Sequence, residues 1–258
     1  MSDVIDYEIF GDDLQLIEVE LDPGEGVRAE AGTMTYMENG IEMQTSTGSG
    51  IFSGLKRMVT GESFFITSFV NTARDGKRRV AFAAPYPGKI IPIDLPSFNG
   101  NILCQKDSFL CAAQGIEVEI ALTKRIGAGL FGGEGFILQR LTGNGLAFVH
   151  AGGTIIDKTL APGETLRVDT GCLVAFATTV NYDIQFVGGF RNALFGGEGL
   201  FLARLTGPGR VYLQSLPFSR LADRIFAAAR TRKVDEKPGV AGLGGDLLGG
   251  ILGGDRNF

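Results

Sequence analysis

The chain is poor in the side chains that metal centres and nucleophilic sites draw on: one histidine, His150, and three cysteines, Cys104, Cys111 and Cys172, in 258 residues. Three thiols in apolar settings make neither a disulfide framework nor a zinc cluster, and read as small core or strand residues of a reducing compartment. Basic charge is short as well, with 24 Lys and Arg against 29 Asp and Glu and a net charge of -5. No global positive field draws such a chain to polyanions, so nucleic acid is not an expected partner. The compact basic clusters, Lys77-Arg78-Arg79 and Arg230-Thr231-Arg232-Lys233, read as solvated faces. No apolar run approaches the roughly 20 residues of a membrane helix. Residues 1–6 are acidic and lack the basic flank and apolar stretch of a signal peptide, so the expected location is cytoplasmic.

What the chain does have is glycine, apolar mass and repetition. Hydrophobic residues make up 44% of it and charged residues 21%, enough burial to offset the ordering entropy of a folded core. Glycine accounts for 39 of the 258 residues without a triplet period, which implies many tight turns and hence short strands. An all-β fold is expected. The block from Leu130 to Gly145, containing Phe131-Gly132-Gly133-Glu134-Gly135 and Arg140-Leu141-Thr142-Gly143, returns 64 residues later from Leu194 to Gly209. A fainter copy runs from Gly61 through Glu62 to Phe69, with Ser68 in place of the Arg. A second block, Gly24 to Thr33, matches Gly163 to Cys172 and, more weakly, Gly100 to Phe109. Two blocks recurring in one order at similar spacing define tandem units at 1–86, 87–151 and 152–216, followed by a short helix at 217–233 and a Gly-rich tail at 234–258.

Within a unit the pattern is that of strands. Val27, Ala29 and Ala31 alternate with Arg28 and Glu30, as Leu166 and Val168 do with Arg167 and Asp169, giving one apolar and one wet face. Phe136-Ile137-Leu138 and Leu200-Phe201-Leu202 are continuous apolar runs, as in strands buried on both faces. Gly207-Pro208-Gly209 reads as a type II turn and Asn144-Gly145 as an equivalent hairpin signal. A unit of about 65 residues has little core of its own, so the three are expected to bury apolar faces on one another around a pseudo-three-fold axis, with an open row as the competing geometry. Ser219 caps the helix, which puts Leu221, Ile225 and Ala228 or Ala229 on one face.

Chemical motifs are thin. Gly127 to Gly132 spells G-x-G-x-x-G, but a strand-like run follows it instead of a helix, and no acidic residue stands about 20 positions on, so it reads as a structural loop. His150 has no Cys or His pattern beside it and there is no G-x-S-x-G elbow, so it reads as an ordinary surface or strand-end residue. No catalytic set, metal centre or cofactor is expected. The polar positions that stand out are repeat-equivalent: Glu62, Glu134 and Glu198, with Arg140 and Arg204 six residues beyond the latter two. Glu in a Gly-rich turn is explained by backbone hydrogen bonds or by pairing with Arg between units; the alternative is a small-ligand or metal site where the units meet.

The repeated F-G-G-E-G and R-L-T-G-x-G blocks over residues 1–217 resemble a widespread bacterial family with a tryptophan-RNA-binding-attenuator-like (TRAP-like) β fold, related to a mitochondrial biogenesis protein. The resemblance implies three TRAP-like β units of double-stranded β-helix or sandwich type; it carries no catalytic residues and, given the acidic charge, no RNA binding. The expected function is a non-enzymatic scaffold or interaction module with a protein partner. Peripheral membrane contact through the tail is part of that expectation, and so is self-association where apolar faces continue into subunit contacts.

Overall fold

The computed structural model describes residues 2–46, 66–124, 136–186 and 201–234. Its β body is one compact unit spanning Met1–Phe218; the segment from Ser219 onward is a separate one. The first stretch of chain carries β1 (Asp6–Phe10), β2 (Leu16–Leu21), β3 (Gly26–Glu30), β4 (Met34–Met37), β5 (Ile41–Ser46), β6 (Ile66–Asn71) and β7 (Arg78–Ala83). The second carries β8 (Lys89–Asp94), β9 (Asn101–Gln105), β10 (Phe109–Ala113), β11 (Glu117–Lys124), β12 (Phe136–Thr142) and β13 (Leu146–Ala151). The third carries β14 (Ile155–Leu160), β15 (Thr165–Asp169), β16 (Leu173–Ala177), β17 (Asn181–Phe186), β18 (Phe201–Thr206) and β19 (Gly209–Gln214), ahead of the helix α1 (Phe218–Val234).

The pairing order repeats. Sheets run β1-β2-β7-β4, then β5-β6-β3-β10-β13-β8, then β11-β12-β9-β16-β19-β14, then β15-β18-β17, with antiparallel ladders throughout. With β1 set aside as an extra edge strand on β2 and the first stretch counted from β2, the first strand of each stretch pairs with the sixth and the sixth with the third, while the second pairs with the fifth and the fifth with the fourth. The third strand carries a bulge at the same place each time, between Met34 and Tyr36, Phe109 and Cys111, and Leu173 and Ala175. The two sheets of a stretch face each other across a core, as the edge-to-face rings of Phe69 and Phe82, 5.1 Å apart, show in the first. One apolar cluster joins Val19, Phe82, Ala29 and Phe69 to Ile93, Phe148 and Ala175; a second joins Leu103, Phe136 and Leu138 to Val168, Phe176 and Leu205. Burial of this kind contributes on the order of 25 cal/mol per Å² of apolar surface.

A left-handed residue opens the turn into each second strand: Gly24 at φ 88°, Asn99 at φ 55° and Gly163 at φ 77°. Asn reaches that region because its short side chain bonds locally. The middle block therefore aligns from Asn99, one residue earlier than the sequence match from Gly100 indicates, and Asp107 stands where Gly32 and Gly171 stand. Two other expectations are corrected. Neither Asn144-Gly145 nor Gly207-Pro208-Gly209 closes a hairpin, because β12 and β13 belong to different sheets, as do β18 and β19, and the Gly207–Pro208 peptide is cis, which a type II turn is not. The turn instead passes the chain from one sheet of the sandwich to the other, where the strand edges on offer belong to β8 and β10 or β14 and β16. Phe136, Ile137 and Leu138 are buried as expected, whereas Phe201 and Leu202 are half-buried, since β18 lies in the three-stranded terminal sheet.

Candidate functional site

Glu62, Glu134 and Glu198 lie outside the described residues, as do the G-x-G-x-x-G loop and the tail. Arg140 and Arg204 are described and exposed, on different sheets. Arg140 has Glu119 across from it on β11 and Leu103 on β9; Arg204 has Asp183 on β17 and Arg167 on β15. Glu119 and Asp183 are thus the carboxylates that the ladders bring beside them. Among the described residues no three His, Cys, Asp or Glu gather where one ion could be held.

The concentrated polar chemistry lies where the stretches meet. Gln214, at the end of β19, is a buried clamp: its Oε1 accepts from Gly152 N at 2.8 Å and its Nε2 donates to Gly171 O at 2.8 Å. The matching residue at the end of β13 is His150. It is only 2% exposed, correcting the expectation of a surface residue, and packs edge-to-face on Tyr86 with ring centroids 4.6 Å apart. Its Nδ1 is buried without a partner, and burial lowers its pKa to about 4. Sequence missed this because a lone strand-end residue carries no sign of what covers it; only its alignment with Gln214 points inward.

Tyr86 also donates from its hydroxyl to Asp107 O at 2.9 Å and stacks on Phe218 at 5.2 Å. Nearby, burial pushes the Glu30 carboxyl up to about 7, helped by the charge of Asp107 and opposed by that of Lys106. Cys104 and Cys111 are fully buried, and burial raises both thiols well above the ordinary range, so they are packing groups rather than thiolate nucleophiles. Cys172 is half-buried at the edge of the second core.

Two exposed features complete the picture. Strand β4 is exposed along its length, with Met34, Tyr36 and Met37 about as open as surface residues, while its counterparts β10 and β16 are buried throughout. Tyr36 donates its hydroxyl to Glu18 Oε2 on β2, which itself lies near Arg79. The sequence signal was present in Met34-Thr35-Tyr36-Met37, more polar than Phe109-Leu110-Cys111-Ala112 or Leu173-Val174-Ala175-Phe176. Helix α1 runs from Phe218 to Val234, so Ser219 is its second residue and not the cap expected of it; Phe218, Ile225 and Phe226 are exposed on the helix, and no described helix is long and apolar enough to cross a membrane.

These features define an all-β sandwich protein whose sheets are shared between successive stretches of one chain, with a helical segment after it. The chain belongs to the mitochondrial biogenesis AIM24 family, whose family model matches residues 7–216. It is 31% identical over 216 residues to an uncharacterised protein of Streptococcus pyogenes serotype M6, covering 80% of this chain and 84% of that one. Its fold is similar to the crystal structure of another Streptococcus pyogenes protein from structural genomics, with a TM-score of 0.72 and 25% identity over 87% of this chain and 99% of that chain.

Proposed function

We propose that the protein is a non-enzymatic, cytoplasmic interaction scaffold, three TRAP-like β units in an open row rather than closed around a pseudo-three-fold axis, held at an anionic membrane surface by its C-terminal helical segment. The observation that carries the reading is helix α1. Ile225 and Phe226 are 58% and 66% exposed, and the helix carries Arg220, Arg224, Arg230, Arg232 and Lys233 against one acid, Asp223. Exposed apolar side chains on a strongly basic helix favour the boundary between headgroups and acyl chains, where each basic residue adds about 1 kcal/mol beside anionic lipid. The repeated pairing order of the strands supports the three-unit reading.

The test is co-sedimentation of the full chain with vesicles of pure phosphatidylcholine and of phosphatidylcholine with 30 mol% phosphatidylserine, roughly the anionic regime in which such contributions operate. Binding is expected on the anionic vesicles only, and is lost in a Ile225→Asp, Phe226→Asp variant whose β body still melts as in the parent. Equal sedimentation with and without anionic lipid, or full binding by the variant, removes the membrane from the proposal.

A further inference from the structure

The β body contains two junctions made by one rule. In the first, β3 pairs with β10, setting Ala29 opposite Cys111, Arg28 opposite Ala112 and Val27 opposite Ala113. In the second, β9 pairs with β16, setting Cys104 opposite Ala175, Leu103 opposite Phe176 and Ile102 opposite Ala177. Each joins the second strand of one stretch to the third strand of the next, and the register is the same when the bulges and the left-handed Gly24, Asn99 and Gly163 are superposed. One second strand and one third strand are left over. They are β15 and β4, and among the described residues each is the terminal strand of its sheet.

Both leftover strands are open. Met34, Tyr36 and Met37 of β4 are 37%, 43% and 40% exposed, whereas Cys111 and Ala175, the counterparts of Tyr36 in the paired junctions, are 0% exposed. On β15, Thr165 and Arg167 are exposed. A bare strand edge presents unpaired N–H and C=O groups that template pairing with another strand. A second feature of the first junction has its match here. Arg28 donates from Nη1 across that junction to Ile116 O at 2.9 Å. Arg167 holds the place of Arg28, and Ile41 holds the place of Ile116, since Ile41 N donates to Glu38 O as Ile116 N donates to Ala113 O and Val180 N to Ala177 O.

We infer that β15 of one chain pairs with β4 of a second copy, in the register Val168 opposite Tyr36, Arg167 opposite Met37 and Leu166 opposite Glu38, with Arg167 donating to Ile41 O of that copy. The occupant is a second copy because β4 and β15 are the two halves of a contact that this same sequence already makes twice. The two surfaces differ, so the contact is head-to-tail, and it leaves one free edge at each end of a pair. The inference stands apart from the membrane reading and survives its failure.

The test uses the full chain in a Cys172→Ser background, where the remaining thiols are buried. Met37→Cys and Arg167→Cys lie at exposed positions and are brought opposite each other, within disulfide reach, by the register. Mixing the two single variants under mild oxidation is expected to yield a disulfide-linked dimer in severalfold excess over either variant alone. Tyr36→Asp, which would bury a carboxylate at the contact, is expected to weaken concentration-dependent association in sedimentation velocity at least tenfold. A chain that stays monomeric at every concentration, cross-linking no better in the mixture than in the single variants, overturns the inference. So does a Met37→Cys, Arg167→Cys double variant that closes its disulfide within one monomeric chain, which would make the contact internal.

Discussion

Strands β4 and β16 hold the same place in the pairing order and carry the same bulge, yet β16 is buried along its whole length and β4 is exposed along its whole length. The difference lies in the neighbour. Strand β9 covers the far edge of β16, while among the described residues no strand covers the far edge of β4. Sequence follows: Leu173-Val174-Ala175-Phe176 is apolar throughout, and Met34-Thr35-Tyr36-Met37 keeps a hydroxyl for Glu18 and flexible thioethers that tolerate both water and a partner. Topology alone does not set burial; the junction does.

The sharpest way to break that comparison is to truncate equivalent residues. Phe176 is wholly buried and Met37, its counterpart, is 40% exposed. Phe176→Ala is expected to cost about 3–5 kcal/mol and Met37→Ala less than about 0.5 kcal/mol, measured by urea unfolding at dilution. A Met37 cost approaching that of Phe176 would mean that β4 is covered in solution, and the contrast would vanish.

The same residues show how far the fold is legible in sequence. Alternation in Val27-Arg28-Ala29 and the doubled F-G-G-E-G block identify β3, β12 and β18 because period-2 patterning and near-identity are local signals. Pairing partners are not local. Asn144-Gly145 marks a turn correctly but gives no sign that β13 goes to β8 and β10 instead of back to β12. Asn99 hides the register of the middle block because a left-handed Asn does the work that Gly does in the other two. Of the candidate site, the exposed Arg140 and Arg204 are legible as strand positions, while Gln214 and His150, the buried polar residues, owe their roles to chain segments far away in sequence.

A second comparison, Gln214 against His150, is sharpened by pH. His150 falls from an ordinary 6.5 to about 4 on folding, so the unfolded chain binds the extra proton between those values; stability rises with pH across that window and its full deficit, about 3 kcal/mol, is reached only below pH 4. Glu30, raised from 4.5 to about 7, acts with the opposite sign: the folded state binds the extra proton, and its contribution declines as pH rises from 4.5 through 7. His150→Gln copies the clamp residue of β19 and is expected to leave only the Glu30 trend, with stability falling from pH 5 to 7, while Glu30→Gln leaves only the His150 rise. Thermal melts of the two variants over that range should slope in opposite directions; parallel slopes would show that one of the two groups is not buried.

The smallest expected difference separates Arg140 from Arg204. Both are exposed and six residues beyond a Gly-flanked Glu, but their cross-strand neighbours differ: Glu119 faces Arg140, whereas Arg204 lies between Asp183 and the like charge of Arg167. Opposite charges across a ladder contribute about 0.2–1 kcal/mol and like charges cost a similar amount. Ser is the natural substitute, since Ser68 holds the equivalent place on β6 between Arg28 and Gln44. Arg140→Ser should therefore destabilise by about 0.5 kcal/mol in low salt and less in high salt, as screening removes what the Glu119 charge contributes. Arg204→Ser should be neutral to within about 0.3 kcal/mol, the loss beside Asp183 offset by relief beside Arg167. A loss near 2 kcal/mol in either, insensitive to salt, would exceed what an exposed pair supplies and would place that guanidinium in a desolvated contact.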